Sequence, residues 1–339
     1  MIKKPYVSII LPVFNCEDYI TDSIQSILDQ TFTNFELLII DDGSTDNTYK
    51  KIKQIKDSRI ILIKQKNKGL PKTLNESFKR AQGKYIARQD ADDFSYPTRL
   101  EKQIRFLEAN PNFGIVGTWA EIWVGQKKSD RTLDHSCENY KLKFDILFDS
   151  GFVHSSIMIR KEIFNQLGGY NSKFQPVEDY EYWTRVLEKF NGANIPELLQ
   201  VYRELPSSMI RANPEKNINK IIIISSEAIS RITDHKYKKI DIHNLVCLSH
   251  RAYNFIDSKP NMSNIRKILL KISKKISNST KKETEMLEKH ILKKLNLIEL
   301  SFFYYQIRNR PRIIRGVDFA VNLFKFFLLT LARVIYEKK

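Results

Sequence analysis

The stretch VSIILPVFNCEDYI, residues 7–20, decides the fold. Residues 7–11, apolar except for Ser8, are rich in β-branched side chains, and Pro12 closes the run. Such a short, non-alternating run reads as a strand buried on both faces. Over 18–28 the apolar residues Tyr19, Ile20, Ile24, Ile27 and Leu28 recur at helical spacing. The same strand-then-helix unit repeats downstream. FELLII at 35–40 is a second strand, stopped by Asp41-Asp42-Gly43, and Asp46 can cap a helix running to about residue 55. RIILI at 59–63 is a third strand, 71–81 a helix with proline in its first turn, 85–88 a fourth strand, and 97–109 a helix. The alternation predicts an α/β fold, with a mostly parallel central sheet and helices on both faces.

From about residue 113 the alternation becomes irregular. Strands are predicted at 114–121, 156–160 and 198–203, helices at 140–148 and 179–190, and a loop at 126–139. After Pro214 glycine and proline thin out, and Lys, Ile and Leu fall in helical pattern. Helices are expected at 220–232, 242–256, 264–276 and 283–305. This divides the chain into an α/β domain, 1–214, and a basic all-α region, 215–339. The densest apolar stretch, FAVNLFKFFLLTLARVIY, starts at Phe319. Arg315, Asp318, Asn322, Lys325 and Arg333 interrupt it in one stripe, which fits an amphipathic helix over 313–336 lying in a membrane interface better than a span. Packing against the preceding basic helices is the alternative.

The chain has 339 residues, of which 42% are hydrophobic, enough for a core and too many for a disordered chain. Its three cysteines, Cys16, Cys137 and Cys247, are too far apart for a disulfide framework or a zinc site, which points to a reducing compartment. The opening MIKKPYVSII lacks the apolar core of a secretory signal. The formal net charge is +17, and residues 216–339 carry +16 of it, with 26 basic and 10 acidic side chains. Such asymmetry suggests a polyanionic partner, either nucleic acid or an anionic membrane surface. A solvated basic face is the simpler alternative.

The polar residues with chemical potential lie where the strands end. Asn15 and Glu17 follow the first strand, as ligand-facing residues or as a capping pair for the next helix. Asp41 and Asp42 follow the second; a capped turn explains Ser44 or Asp46 but leaves the adjacent carboxylates unexplained. No G-x-G-x-x-G follows the first strand and no P-loop motif occurs, so phosphates need another device. The fourth strand ends in Arg88-Gln89-Asp90-Ala91-Asp92-Asp93. Three carboxylates in four residues repel one another unless they share a cation, and hard oxygen ligands suit Mg²⁺ or Mn²⁺. Alternation along an extended segment would put Asp90 and Asp92 on one side; a solvated acidic turn is the competing reading. Glu178 and Asp179 open a helix, where one could serve as a general base or simply favour the helix N-terminus. His154 follows an apolar turn and is either structural or part of the site.

Taken together, the segments VSIILPVFNCEDYI (7–20), LLIIDDGSTDNT (37–48), NKGLPKTLNESFKRAQGKYIARQDADD (67–93), HSSIMIRKEIF (154–164) and GGYNSKFQPVEDYEYWTR (168–185) resemble the family 2 glycosyltransferases, with the GT-A fold. The resemblance spans about residues 5–210. The version with PTRLEKQIRFLEANP at 97–111 is similar to bacterial enzymes that build lipopolysaccharide, capsule and other surface glycans. It implies a nucleotide-sugar donor, usually a UDP-sugar, and a divalent cation. Pro12, Phe14, Asn15 and Glu17 would line the nucleoside pocket. Asp42 would hold the uracil with Asp41 and Ser44 nearby, and Lys68 and Arg88 would lie near the nucleotide. Asp90 would face the ribose and donor sugar, Asp92 would ligate the metal with Asp93 supporting it, and Asp179 would be the catalytic base beside Glu178. His154 and Arg203 are further candidates for the site. Family members often carry histidine two residues after the arginine at 203, where this chain has Leu205. The Q-x-x-R-W motif and spanning-helix bundle of processive synthases are missing, which favours one sugar per encounter. The expected acceptor is a glycan or lipid-linked glycan at the cytoplasmic face of the membrane, with the basic region on anionic headgroups and no nucleic-acid partner. A non-catalytic scaffold and a basic nucleic-acid binder are the competing functions.

Overall fold

The computed structural model describes residues 4–205, 213–277 and 280–308. The amphipathic segment expected at 313–336 lies outside the described residues. The chain divides into two compact units, Met1–Ile224 and Ser225–Lys339.

In the first unit β1 (Val7–Val13), α1 (Ile20–Leu28), β2 (Phe35–Asp41), α2 (Thr48–Gln54), β3 (Ile60–Lys64), α3 (Leu70–Arg80) and β4 (Tyr85–Arg88) follow one another as the strand–helix pattern predicts. β1 pairs in parallel with β2 and β4, and β2 in parallel with β3. Alternate side chains go to opposite faces. Val7, Ile9, Leu11 and Val13 pack under Ile20, Ile24 and Ile27 of α1 and Ile52 of α2. Ile10, Leu38 and Ile40 face the other way, onto Leu74 and Phe78 of α3. A strand walled on both sides is apolar nearly throughout, which is why these runs read as apolar blocks; the buried exceptions, Ser8 and Glu36, hydrogen-bond each other.

The second half of the unit is mixed. β5 (Phe94–Ser95), α4 (Arg99–Ala109), β6 (Phe113–Val124), β7 (Lys127–Leu133), α5 (Asn139–Asp145), β8 (Met158–Arg160), α6 (Lys161–Leu167), α7 (Glu178–Lys189) and β9 (Asn191–Glu204) follow. They complete a nine-stranded sheet in the order β3-β2-β1-β4-β8-β6-β9-β5, with β7 on β6. β8 runs antiparallel between β4 and β6, while β6 and β9 are parallel. The 126–139 stretch is not all loop: β7 occupies 127–133. Its residues KKSDRTL are mostly exposed, so no apolar alternation marks them.

α8 (Pro214–Ile232) crosses the division between the units, later than the composition change at 214. Its Ile221 and Ile224 pack on the core of the first unit. In the second unit α9 (Lys239–Ser249), α10 (Met262–Ile276) and α11 (Lys281–Arg308) pack on one another. Ile242, Leu245, Ile265, Ile268, Leu269, Ile272, Leu287 and Ile298 are all at most 1% exposed. No helix among the described residues is long and apolar enough to cross a membrane.

Candidate active site

The carboxyl ends of β1, β2 and β4 share one edge: Val13 stands opposite Asp41, and Ile10 opposite Arg88. Ligands of open parallel sheets bind beyond such ends. Just past β1, Asn15 takes a left-handed backbone conformation, φ 48°, which asparagine tolerates. Its Oδ1 accepts the Thr45 N–H at 2.9 Å, and its own N–H donates to Ser44 Oγ at 3.1 Å. Glu17 Oε2 accepts the Asn47 N–H at 3.1 Å, and the Glu17 N–H donates to Asp46 Oδ2 at 3.2 Å. The two residues therefore do not cap α1, which starts after Tyr19 with no side-chain cap. They zip the loop after β1 to the loop after β2.

Asp42 is heavily used by the protein itself. Oδ1 accepts Gln65 Nε2 at 2.7 Å and the Lys68 N–H at 3.0 Å, and Oδ2 accepts the Gly69 N–H at 3.0 Å. It thereby fixes the loop between β3 and α3. Asp41 is fully buried; one oxygen accepts the Ser44 N–H at 3.0 Å and the other has no partner. Gly43 makes the turn possible: its φ is +86°, and a Cβ there would sit 2.9 Å from the Asn67 nitrogen. The Lys68 ammonium is paired with Glu76 at 2.8 Å, so only its backbone joins this wall. Pro12 is buried within β1, whereas Phe14 stands on the rim, 50% exposed.

The acidic loop after β4 is a turn at residues 91 and 92, so the expected strand alternation of Asp90 and Asp92 does not hold. Arg88 and the backbone bend the chain instead. The fully buried Arg88 guanidinium holds Asp90 Oδ1 at 2.7 Å, and the Asp93 N–H closes back onto the Asp90 carbonyl at 3.3 Å. Asp93 points inward, accepting the Ser155 hydroxyl and the Arg203 N–H, the latter at 2.8 Å. Arg203 donates to the Asp92 carbonyl at 2.6 Å, and its guanidinium lies 5.1 Å from the Tyr19 ring centroid and 5.8 Å from that of Trp123. Beneath the loop the buried Arg99 donates to the Arg88 carbonyl at 2.9 Å and the Ser155 carbonyl at 2.6 Å. Burial pushes this guanidinium down to about 9. Three buried arginines thus face the three aspartates. Burial, and then Asp90, push the Asp92 carboxyl up to about 6.

Glu178 and Asp179 begin α7. Burial and then Asp179 raise Glu178 to about 7; burial, and among the neighbouring acids Asp90, raise Asp179 to about 6. Asp179 Oδ1 accepts the Tyr180 N–H at 2.7 Å, and Oδ2 lies 4.0 Å from His154 Nδ1. His154 Nε2 is 3.1 Å from the Tyr170 hydroxyl, and its ring sits against Tyr170 and Trp183. Burial first, and Arg88 second, lower His154 to about 3, so the imidazole is neutral.

Arg88 and Asp90 act electrostatically on Asp92, His154, Glu178 and Asp179 alike. These residues come from the end of β4, the turn before β8 and the start of α7, and they meet in one place. Cys16 joins them to the β1–β2 wall: its thiol is raised to about 12, by burial and then by Asp92, Asp90 and Asp46. Cys16, Gln89, Arg99, Ser155, Tyr170 and Gln200 are parts of the site the motifs did not mark. No local pattern marks them: Gln200, for example, reaches Ser95 at 2.9 Å and Gln89 at 3.4 Å from far along the chain. Leu205, two residues after Arg203, is partly buried.

A parallel half-sheet continued by mixed strands is the architecture of the GT-A fold. The family model for glycosyl transferase family 2 matches residues 8–168. EpsE of Bacillus subtilis is 36% identical over 227 residues, covering 65% of this chain and 81% of its own. The chain belongs to glycosyltransferase family 2 and is a glycosyltransferase, with relatives in surface-glycan biosynthesis. One relative is the UDP-Glc:alpha-D-GlcNAc-diphosphoundecaprenol beta-1,3-glucosyltransferase WfaP of Escherichia coli. It is 30% identical over 263 residues, covering 73% of this chain and 93% of its own. Among solved structures, S. aureus TarS 1-349 in complex with UDP-GlcNAc superposes with a TM-score of 0.59 at 15% identity, over 90% of this chain and 93% of that one. That likeness is one of fold.

The residues present fit a divalent cation. Asp92 is a hard-oxygen donor whose ionised form is opposed by burial and by Asp90, and a cation would relieve both. Among the described residues no three His, Cys, Asp or Glu side chains form a complete ligand set. A pyrophosphate would have to supply the remaining oxygens.

Proposed function

We propose that the protein is an inverting, metal-dependent, non-processive glycosyltransferase that moves a sugar from a UDP-sugar to a hydroxyl of a glycan or lipid-linked acceptor in cell-surface polysaccharide synthesis. The observation that carries this is the meeting of Asp92, Glu178 and Asp179 around the Arg88–Asp90 pair. One carboxylate group suits a cation and the other suits a proton.

The chain's own residues then divide the work. The wall of Pro12, Phe14, Asn15, Glu17, Asp41, Asp42 and Ser44 shapes the nucleoside pocket. Asp42 does so mainly by holding the 65–69 loop, with one acceptor direction left for the base. Asp90, fixed by Arg88, orients the donor sugar. Asp92 would hold Mn²⁺ or Mg²⁺, with Asp93 and Arg203 clamping the loop beneath it. Bound there, such a cation supplies Lewis-acid stabilisation of the departing diphosphate. Asp179 accepts the proton of the acceptor hydroxyl. The acceptor oxygen then bonds the anomeric carbon as the bond to the diphosphate oxygen breaks on the opposite face, which inverts the configuration. The printed name of WfaP supports a UDP-sugar donor and a diphosphoundecaprenol-linked acceptor as the first pair to try. The +16 charge of residues 216–339 supports a peripheral position on the cytoplasmic membrane face.

The test is a panel of nucleotide-sugars against lipid-linked acceptors, with and without Mn²⁺. Acceptor-dependent release of nucleoside diphosphate that needs the cation is expected. Asp179→Asn should lower it by about 10²–10⁴-fold. Full activity of Asp179→Asn would remove the base from this mechanism.

A further inference from the structure

We propose that the turn between α8 and α9, together with the outward face of α10, forms a docking surface for an anionic lipid bilayer. The proposal rests on the membrane reading above and gives it a site distinct from the 313–336 segment. α10 turns Ile265, Ile268, Leu269 and Ile272 inward. Lys267, Lys271 and Lys274 then fall in one row on the other face, spaced four and three residues apart, a line of about 10 Å. In the same row stands Leu270, 61% exposed.

The turn adds to the row. The Tyr237 hydroxyl donates to the Lys267 carbonyl at 3.2 Å, which ties the turn to the helix. Asp234 is paired with Lys275 at 3.0 Å, and Lys271 and Lys236 also lower its carboxyl. Lys236, Lys271 and Lys275 therefore gather around one carboxylate, with Lys267 and Lys274 beside them. Three lysines thus share one aspartate, and Lys267 and Lys274 extend the basic row along α10. Lys238 and Lys239 flank them, exposed.

A polyanion would satisfy the lysines, but the leucine chooses between polyanions. A nucleic-acid backbone offers an exposed Leu side chain nothing. A bilayer takes both groups: the lysine stems lie along the interface with their ammonium groups on headgroup phosphates, while Leu270 enters the acyl boundary. The row is a convex helix face, which suits a sheet of headgroups and gives no cleft for one free phosphate.

The experiment is co-sedimentation of the full chain with phosphatidylcholine vesicles, with and without about 30% phosphatidylglycerol, an anionic fraction high enough to set a surface potential. Binding to the anionic vesicles alone, weakened by salt, is expected. The Lys267→Gln/Lys271→Gln/Lys274→Gln variant should bind about 100-fold more weakly, and Leu270→Gln alone should bind several-fold more weakly. Lys289→Gln/Lys293→Gln on α11, both exposed, should stay within about twofold of the parent. If the parent ignores anionic vesicles, the membrane reading and this surface fall together. If the parent binds while the triple variant and Leu270→Gln bind equally well, the surface falls and the membrane reading stands. If the control variant loses as much as the triple, net charge rather than this face is responsible. Stronger retention on duplex DNA than on vesicles at the same salt would overturn the choice of partner. Should the triple variant fail to fold, Leu270→Gln against the α11 control decides the matter.

Discussion

Glu178 and Asp179 are acids held where ionisation is unfavourable, and the consequence can be read in two separate measurements. Both folded-state values, about 7 and about 6, lie above the ordinary carboxyl range. A raised value favours the protonated form, so its contribution to stability is present below about pH 4 and is lost as pH rises through 7. Glu178→Gln removes the ionisable group, and denaturant unfolding should show the variant on the order of 2–3 kcal/mol more stable than the parent at pH 8, with no difference near pH 4. Activity runs the other way. As the proposed base Asp179 must be ionised to take a proton, so turnover should fall about tenfold per pH unit below about 6. In the tautomer that carries its proton on Nδ1, toward Asp179, His154 Nε2 accepts the Tyr170 O–H. Tyr170→Phe frees the ring to change tautomer and should move the acid limb up by about half a unit. A limb that stays put would mean that the imidazole does not support the carboxylate. At this scale the acids stood out in the sequence as adjacent carboxylates at strand ends, and the structure gives two of them structural work: Asp42 holds the 65–69 loop, and Asp93 accepts Ser155 and Arg203. Arg99 and Gln89 did not: Arg99 opens an ordinary helix, Gln89 is a neutral residue just past β4, and partners such as Ser155 and Gln200 lie far away in sequence.

The elements were legible in proportion to how completely the core surrounds them. β1 and β2 are buried at every position and announce themselves as apolar runs. β7 is exposed and polar, β8 has three residues, and β9 begins at Asn191, earlier than expected, with Pro196 inside it and register shifts against β6. Proline and a bulge break the period that would mark a long strand. α6, Lys161–Leu167, is two turns long and left no periodic trace. Turn chemistry was more informative than period at Asp41-Asp42-Gly43. Gly43→Ala would strain a φ of +86° and push a Cβ to 2.9 Å from the Asn67 nitrogen. It should cost about 1–3 kcal/mol of stability, read from the denaturant midpoint, and weaken nucleotide binding through the displaced 65–69 loop. Wild-type nucleotide affinity in that variant would separate the loop from the pocket.

Across the whole molecule, charge divides more cleanly than structure does. Residues 1–215 are close to neutral, while residues 216–339 carry +16. The composition change marked a second region, but the packing boundary at 224 depends on which side of α8 finds a core, and composition carries no such information. The segment 313–336, which the apolar pattern placed at a membrane interface, remains a sequence expectation. Electroneutrality also has a local form. Arg88, Arg99 and Arg203, each at most 5% exposed, offset three of the five acids Asp90, Asp92, Asp93, Glu178 and Asp179. Charge would therefore admit a dication, but ligands are short: among the described residues no three His, Cys, Asp or Glu side chains form a set that could hold it, so in the proposed reading it arrives with the donor's diphosphate, which supplies the missing oxygens. Calorimetry should therefore record little heat from Mn²⁺ alone and strong uptake once a nucleoside diphosphate is present, which makes loading a joint event and leaves the resting enzyme indifferent to free metal.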